Sequence, residues 1–115
     1  MKTSETQIVN YSVAGGDTNF DSFVYTGQRD IVVQLFYTSL NQADHKLRLQ
    51  KSLDGVNFLD AKDGSGTTIE ITINNAISTD ILEAINSFNT KFARFQFIEG
   101  TAGTGTIDKL LILME

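Results

Sequence analysis

The chain has no cysteine, no proline and no tryptophan, and one histidine in 115 residues. Without cysteine there can be no disulfide, no thiolate nucleophile and no cysteine-based zinc site, so the core must hold itself by packing. The single histidine, His45, lies in the polar stretch NQADHK, and no G-x-S-x-G motif occurs anywhere. Nucleophilic triads and multi-histidine metal sites are therefore excluded. The absence of proline leaves turn formation to Asn/Asp-Gly and Gly-Gly pairs. Long apolar runs are also missing: the longest, LLILM at 110–114, falls far short of the roughly 20 residues a membrane-spanning helix needs. MKTSETQ lacks the apolar stretch of a signal peptide and reads as a flexible polar arm over residues 1–6. Positive charge is scarce as well, with 9 Lys and Arg against 14 Asp and Glu and a net charge of −5. That balance argues against a nucleic-acid groove, which needs concentrated Lys and Arg to neutralise phosphates.

What is present is alternation. Apolar residues make up 41% and charged residues 20%, as in an ordinary globular chain, and 115 residues can enclose one core, so residues 7–115 are expected to form a single domain. In TIEITI, Ile69, Ile71 and Ile73 share one face and Thr68, Glu70 and Thr72 the other. KLRLQ turns Leu47 and Leu49 inward, FARFQF turns Ala93, Phe95 and Phe97 inward, and IVVQLFY turns Ile31, Val33, Leu35 and Tyr37 inward. IVNYSV adds Val9, Tyr11 and Val13, and FDSFVY around 20–25 is a further strand. The last strand, Thr106 to Met114, is continuously apolar at its end and is expected to be central and covered on both sides. One segment, STDILEAINSF, spaces Ile81, Leu82, Ile85 and Phe88 helically behind Ser78 or Thr79 as caps, which predicts a short helix near 79–88. These elements sum to an all-β antiparallel sandwich, jelly-roll-like, with about seven or eight strands and one short helix.

The chemistry-bearing stretches are few. Asp54-Gly55 is a strong hairpin signal with two possible registers. A two-residue loop sets Phe58 beside Lys51, whereas a three-residue loop with a glycine bulge pairs Leu59 with Leu49 on the buried face and leaves Phe58 outward. Asp60, Asp63 and Gly64-Ser65-Gly66 lack the alternating spacing of a calcium loop and read as a solvated turn. GTAGTGT at 100–106 has no phosphate-loop lysine and leads into a strand, so it reads as a mobile connection. No catalytic residue, metal site or cofactor is expected, and the chain reads as a non-enzyme. Val32, Phe36, Phe92 and Ile98 sit on the second faces of their strands and are candidates either for an interface or for burial beneath the helix or loops.

Two stretches, LQKSLDGVNFLDA and KFARFQFIEGTAGTGTIDKLLILM, carry a resemblance. A strand ending in S-x-D-G-x-N-F, then an A-R-F-x-F strand, a G-T-rich turn and a final apolar strand, is similar to small β-sandwich structural proteins of tailed bacteriophages. That resemblance implies a virion component assembled in the host cytoplasm: an auxiliary or decoration protein of the capsid, or a head-fibre, tail or connector module. It implies as partners the major capsid protein or other virion proteins, with repeated copies of the chain on the particle and no nucleic acid or membrane partner. The same stretches also resemble the back half of discoidin-type, galactose-binding-like domains. That second resemblance implies a carbohydrate-binding module, with sugar stacking resting on Phe58 or a tyrosine and polar contacts on Asn57 and Arg94.

Overall fold

The computed structural model describes residues 3–25, 30–84 and 90–114. Among the described residues ten strands run in chain order: β1 (Thr3–Ser12), β2 (Thr18–Asn19), β3 (Phe23–Val24), β4 (Ile31–Thr38), β5 (Lys46–Ser52), β6 (Leu59–Asp60), β7 (Glu70–Thr72), β8 (Thr79–Ala84), β9 (Phe92–Ile98) and β10 (Thr106–Met114). They form two antiparallel sheets. The four-stranded sheet has the order β1-β10-β4-β8. The six-stranded sheet has the order β2-β9-β5-β6, with β3 also on β9 and β7 also on β5. The count exceeds the expected seven or eight because β2, β3 and β6 are two-residue strands and β7 has three, too short to show alternation.

The period-two pattern sets the core. Val33, Leu35, Leu110 and Ile112 of the four-stranded sheet meet Leu47, Leu49, Ala93, Phe95 and Phe97 of the six-stranded sheet, each at most 1% exposed. Burying each valine, leucine, isoleucine or phenylalanine among them contributes about 1.5–3 kcal/mol. Ile69 and Ile73 are buried and Ile71 packs against them, and Val9, Tyr11 and Val13 line the same interior. The rings of Phe23 and Phe95 stack at 5.9 Å, and Tyr11 meets Phe97 at 5.7 Å.

Two expectations are corrected. Residues 79–84 are not helical: β8 pairs with β4 in the register Ile31↔Ala84 to Phe36↔Thr79. Leu82 faces the core at 5% exposure, whereas Ile81 points outward at 54%. Pairing along the open side of β4 supplies a full ladder of backbone hydrogen bonds, and that outweighs the helical spacing of the apolar residues. The rest of the expected helix, 85–88, lies outside the described residues. Thr3 to Thr6, read as part of the polar arm, begin β1 and run in register from Met114 to Leu111. His45 lies in the polar loop before β5 yet is fully buried, its ring 5.1 Å from that of Phe97, and the Gly100 N–H donates to its Nδ1 at 3.3 Å.

The Gly-Thr stretch after β9 is laced to the loop after β4. The Asp44 carboxylate accepts both the N–H and the hydroxyl of Thr101, at 2.8 and 2.5 Å, and Asn41 Oδ1 accepts Thr104 N–H at 2.7 Å. Those Thr101 bonds hold the Asp44 carboxyl below its ordinary range. At Asp63 the carboxylate is spent on the turn itself, accepting Ser65 N–H at 2.8 Å and Thr67 N–H at 3.0 Å.

Candidate functional site

Three surfaces carry the candidate residues: the loop after β5, the outer face of the six-stranded sheet, and the outer face of the four-stranded sheet.

The loop follows neither expected register. Leu59 pairs with Lys51 and Asp60 with Gln50, so residues 53–58 form the connection. Leu59 is therefore 73% exposed rather than beside Leu49 in the core. The cause is the Asp54 carboxylate. Its Oδ1 accepts the N–H groups of Val56 and Asn57 at 2.9 Å each and the Ser52 hydroxyl at 2.8 Å, while Oδ2 accepts the Asn57 side-chain amide at 2.8 Å. The Asn57 and Val56 N–H bonds, followed by Ser52, hold the Asp54 carboxyl far below the usual carboxylate range. A side chain that satisfies this many local donors fixes a wide loop in place of a tight turn. Gly55 takes φ +76° at its apex and lies against the Phe92 ring, where an added Cβ would be 3.4 Å away. Phe92 is thus beneath the loop, and Asn57 spends its amide on Asp54. Leu53, Val56 and Leu59 remain 73–78% exposed, and Leu53 and Leu59 line a cleft of about 430 Å³ with Lys51, Asp54 and Thr90.

The outer face of the six-stranded sheet is a polar network. From β5 it presents Lys46, Arg48 and Gln50, and opposite them on β9 stand Ile98, Gln96 and Arg94. Glu70 accepts from Arg48 Nε at 2.9 Å and from Lys46 Nζ at 3.1 Å, and Arg48 Nη1 lies 3.5 Å from Asp60. Burial pushes the Glu70 carboxyl up, but these two cations outweigh it and hold the group below its ordinary value. Arg94 has different company. Its Nε donates to Gln50 Oε1 at 2.8 Å and its guanidinium lies 4.2 Å from the centre of the Phe58 ring. Gln50, only 8% exposed, is fixed in turn by donating to Asp60 Oδ1 at 3.0 Å and Gln96 Oε1 at 3.2 Å. Phe58 is half-buried under this arginine, so one face of its ring is already occupied.

The outer face of the four-stranded sheet mixes apolar residues with Gln34, Lys109, Thr79 and Glu83. Val32 and Phe36 lie there, and the register sets Leu113 beside Val32, Lys109 beside Phe36 and Leu111 beside Gln34. Ile81 follows on β8 and Ile8 on β1, 54% and 66% exposed. The Lys109 ammonium lies 4.8 Å over the Phe36 ring. β10 is central, as its sequence indicated, but Leu111 and Leu113 on its second face are only half-buried.

The seven candidates from the sequence thus separate. Val32 and Phe36 belong to the outer face of the four-stranded sheet, Asn57 to the loop, Phe92 beneath that loop, and Phe58, Arg94 and Ile98 to the polar face. Leu111, Leu113, Ile81 and Gln50 were not singled out. The run LLILM carried the signal for the first two, and Gln50 becomes visible only once the register pairs it with Arg94.

No protein-family model matches the chain, and no curated protein is similar to it in sequence. Solved structures do share the fold. The SPBc2 prophage-derived protein YomS superposes with a TM-score of 0.52 at 8% identity, over 98% of this chain and 95% of that one. The carbohydrate-binding module TmCBM61, solved with β-1,4-galactotriose, gives 0.50 at 15% identity over 100% and 88%. At these identities the likeness establishes the sandwich architecture alone.

Proposed function

We propose that this chain is a non-catalytic structural protein of a tailed-bacteriophage particle, an auxiliary or decoration module that binds the coat lattice through the outer face of its four-stranded sheet. The observation that carries this reading is that face itself: Val32, Phe36, Leu111, Leu113, Ile81 and Ile8 all stand on it, on strands bonded to one another, with Gln34 and Lys109 set between them. Apolar side chains gathered on one sheet face favour a partner, because each one left in water forgoes its transfer free energy. Sheet rigidity favours docking, since the residues are already ordered and little conformational freedom is lost on contact. Repetition on a lattice multiplies a modest single-site affinity. The shared fold with a prophage-derived protein is consistent with this reading.

The test is sedimentation of the purified chain with phage particles stripped of their auxiliary proteins, alongside mass spectrometry of intact particles. The wild-type chain should co-sediment, and the double variant Ile81→Lys with Leu113→Lys should stay in the supernatant with an unchanged melting temperature. Absence from the particles together with no co-sedimentation removes the reading.

A second reading, a carbohydrate-binding module, is favoured by one observation on the opposite sheet: Arg94 stands beside two side-chain amides, Gln50 and Gln96, on a flat strand face.

A further inference from the structure

We infer that Arg94 forms the carboxylate-recognising centre of a binding site for acidic saccharides, on the outer face of the six-stranded sheet. The inference deepens the carbohydrate-binding reading by naming the ligand chemistry. It does not depend on docking through the other sheet.

Charge is matched unevenly on this face. β5 and β9 hold three cations there, Lys46, Arg48 and Arg94. Lys46 shares Glu70 with Arg48, and Arg48 also reaches Asp60. Arg94 makes no ion pair among the described residues. Its two protein partners are the neutral Gln50 amide and the Phe58 ring. Burial lowers its pKa from the ordinary value. Holding a half-buried guanidinium without a counter-charge is unfavourable, and an arriving carboxylate relieves that cost.

The geometry is prepared for such a ligand. Bonding of Nε to Gln50 and stacking on Phe58 fix the guanidinium plane and leave the two Nη groups for a ligand, the fork that suits bidentate carboxylate recognition. The support is rigid, because Gln50 is itself pinned by Asp60 and Gln96. Two residues along β9 on the same face, roughly 7 Å from Arg94, Gln96 has its Oε1 engaged by Gln50 and its Nε2 without a protein partner among the described residues. An amide donor at that separation suits a ring hydroxyl when Arg94 grips the carboxylate of a uronic acid.

A peptide is the poorer fit. β9 lies inside the sheet, between β5 on one side and β2 and β3 on the other, so an extended chain finds no free ladder edge to join. Apolar anchoring is limited too, since Phe92 is beneath the 53–58 loop and Phe58 is covered on one face by Arg94.

Titration of the ¹⁵N-labelled full chain with trigalacturonic acid, its uncharged methyl ester and a Glu-rich hexapeptide tests the inference. Trigalacturonic acid should shift the Arg94 Nε and Gln96 side-chain signals and bind at least tenfold more tightly than the ester. Arg94→Gln should erase that difference and Arg94→Lys should retain part of it, both with melting temperatures near wild type. Equal binding of acid and ester overturns the carboxylate site while leaving the carbohydrate reading in place. Binding of neither overturns both. Binding of the hexapeptide as tightly as the trisaccharide overturns the saccharide assignment in favour of a protein ligand.

Discussion

The carboxylate of Asp54 holds Asn57 twice, through its backbone N–H at 2.9 Å and its side-chain amide at 2.8 Å. Together with the bonds from Val56 and Ser52, this turns an Asp-Gly sequence that favours a tight hairpin into a six-residue loop. Because these bonds stabilise only the ionised form, the folded-state pKa lies below the unfolded value of about 3.9. The contribution is therefore fully present above that value and is lost as pH falls through the folded-state value. Asp54→Asn should lower the melting temperature at pH 7, and its deficit against wild type should narrow as pH drops from 5 towards 2. A deficit that stays constant across that range would show that the ionised carboxylate is not what holds the loop.

The register of the same loop separates two leucines. Leu49 is fully buried in the core and Leu59 is 73% exposed. Leu49→Ala should cost about 2–5 kcal/mol, through lost transfer free energy and the cavity left behind. Leu59→Ala should stay within about 0.5 kcal/mol of wild type. Urea denaturation measures both, with the difference appearing in the midpoint at constant slope. Comparable losses at the two positions would mean that Leu59 also packs inside, as a three-residue loop would require.

Gly105 meets the loop after β4 at the point where β10 begins. It adopts φ +134°, and a Cβ there would stand 2.7 Å from Leu40 Cδ2 and 2.9 Å from both the Leu40 Cα and the Ser39 carbonyl oxygen. Two of those three atoms are backbone and cannot swing away. Gly105→Ala should cost at least the roughly 1–3 kcal/mol of a strained backbone position. Gly64→Ala, where a Cβ meets nothing within 4 Å and φ is unremarkable for any residue, should be nearly neutral. Thermal unfolding of the two variants checks the contrast, and equal melting temperatures would contradict the packing of this turn.

The core strands are legible in the sequence. Alternation in TIEITI, KLRLQ and FARFQF located the core strands and their inward faces, because each side chain's burial follows from strand parity alone. STDILEAINSF misled because Ile81, Leu82 and Ile85 fit a helical stripe, while β8 is a sheet-edge strand whose outward Ile81 breaks the simple in-out rule. The Arg94, Gln50 and Asp60 network was invisible for a different reason. Gln50 lies 44 residues from Arg94 and 10 from Asp60 along the chain, and only cross-strand register brings them together. Arg94 and Phe58 were singled out one at a time, but their stacking depends on a loop whose length Asp54 decides.

Tyr37 gives the fold a signature at the other end of the pH scale. Its side chain is 2% exposed at the end of β4, and its hydroxyl donates to the Asn74 carbonyl oxygen at 2.6 Å. Burial, reinforced by the nearby Asp80 carboxylate, pushes its pKa from 10.0 up to about 12. Between those two values the folded chain keeps a proton that the unfolded chain has released, so stability is fully present below pH 10 and declines as pH rises towards 12. Tyr37→Phe should remove this alkaline decline while costing about 0.5–1.5 kcal/mol at neutral pH for the lost hydrogen bond. Absorbance titration at the phenolate band supplies an independent check, since the highest of the tyrosine transitions should vanish in the variant. If the variant and wild type lose stability in parallel above pH 10, Tyr37 does not couple its proton to the packing of β4 against the loop at Asn74.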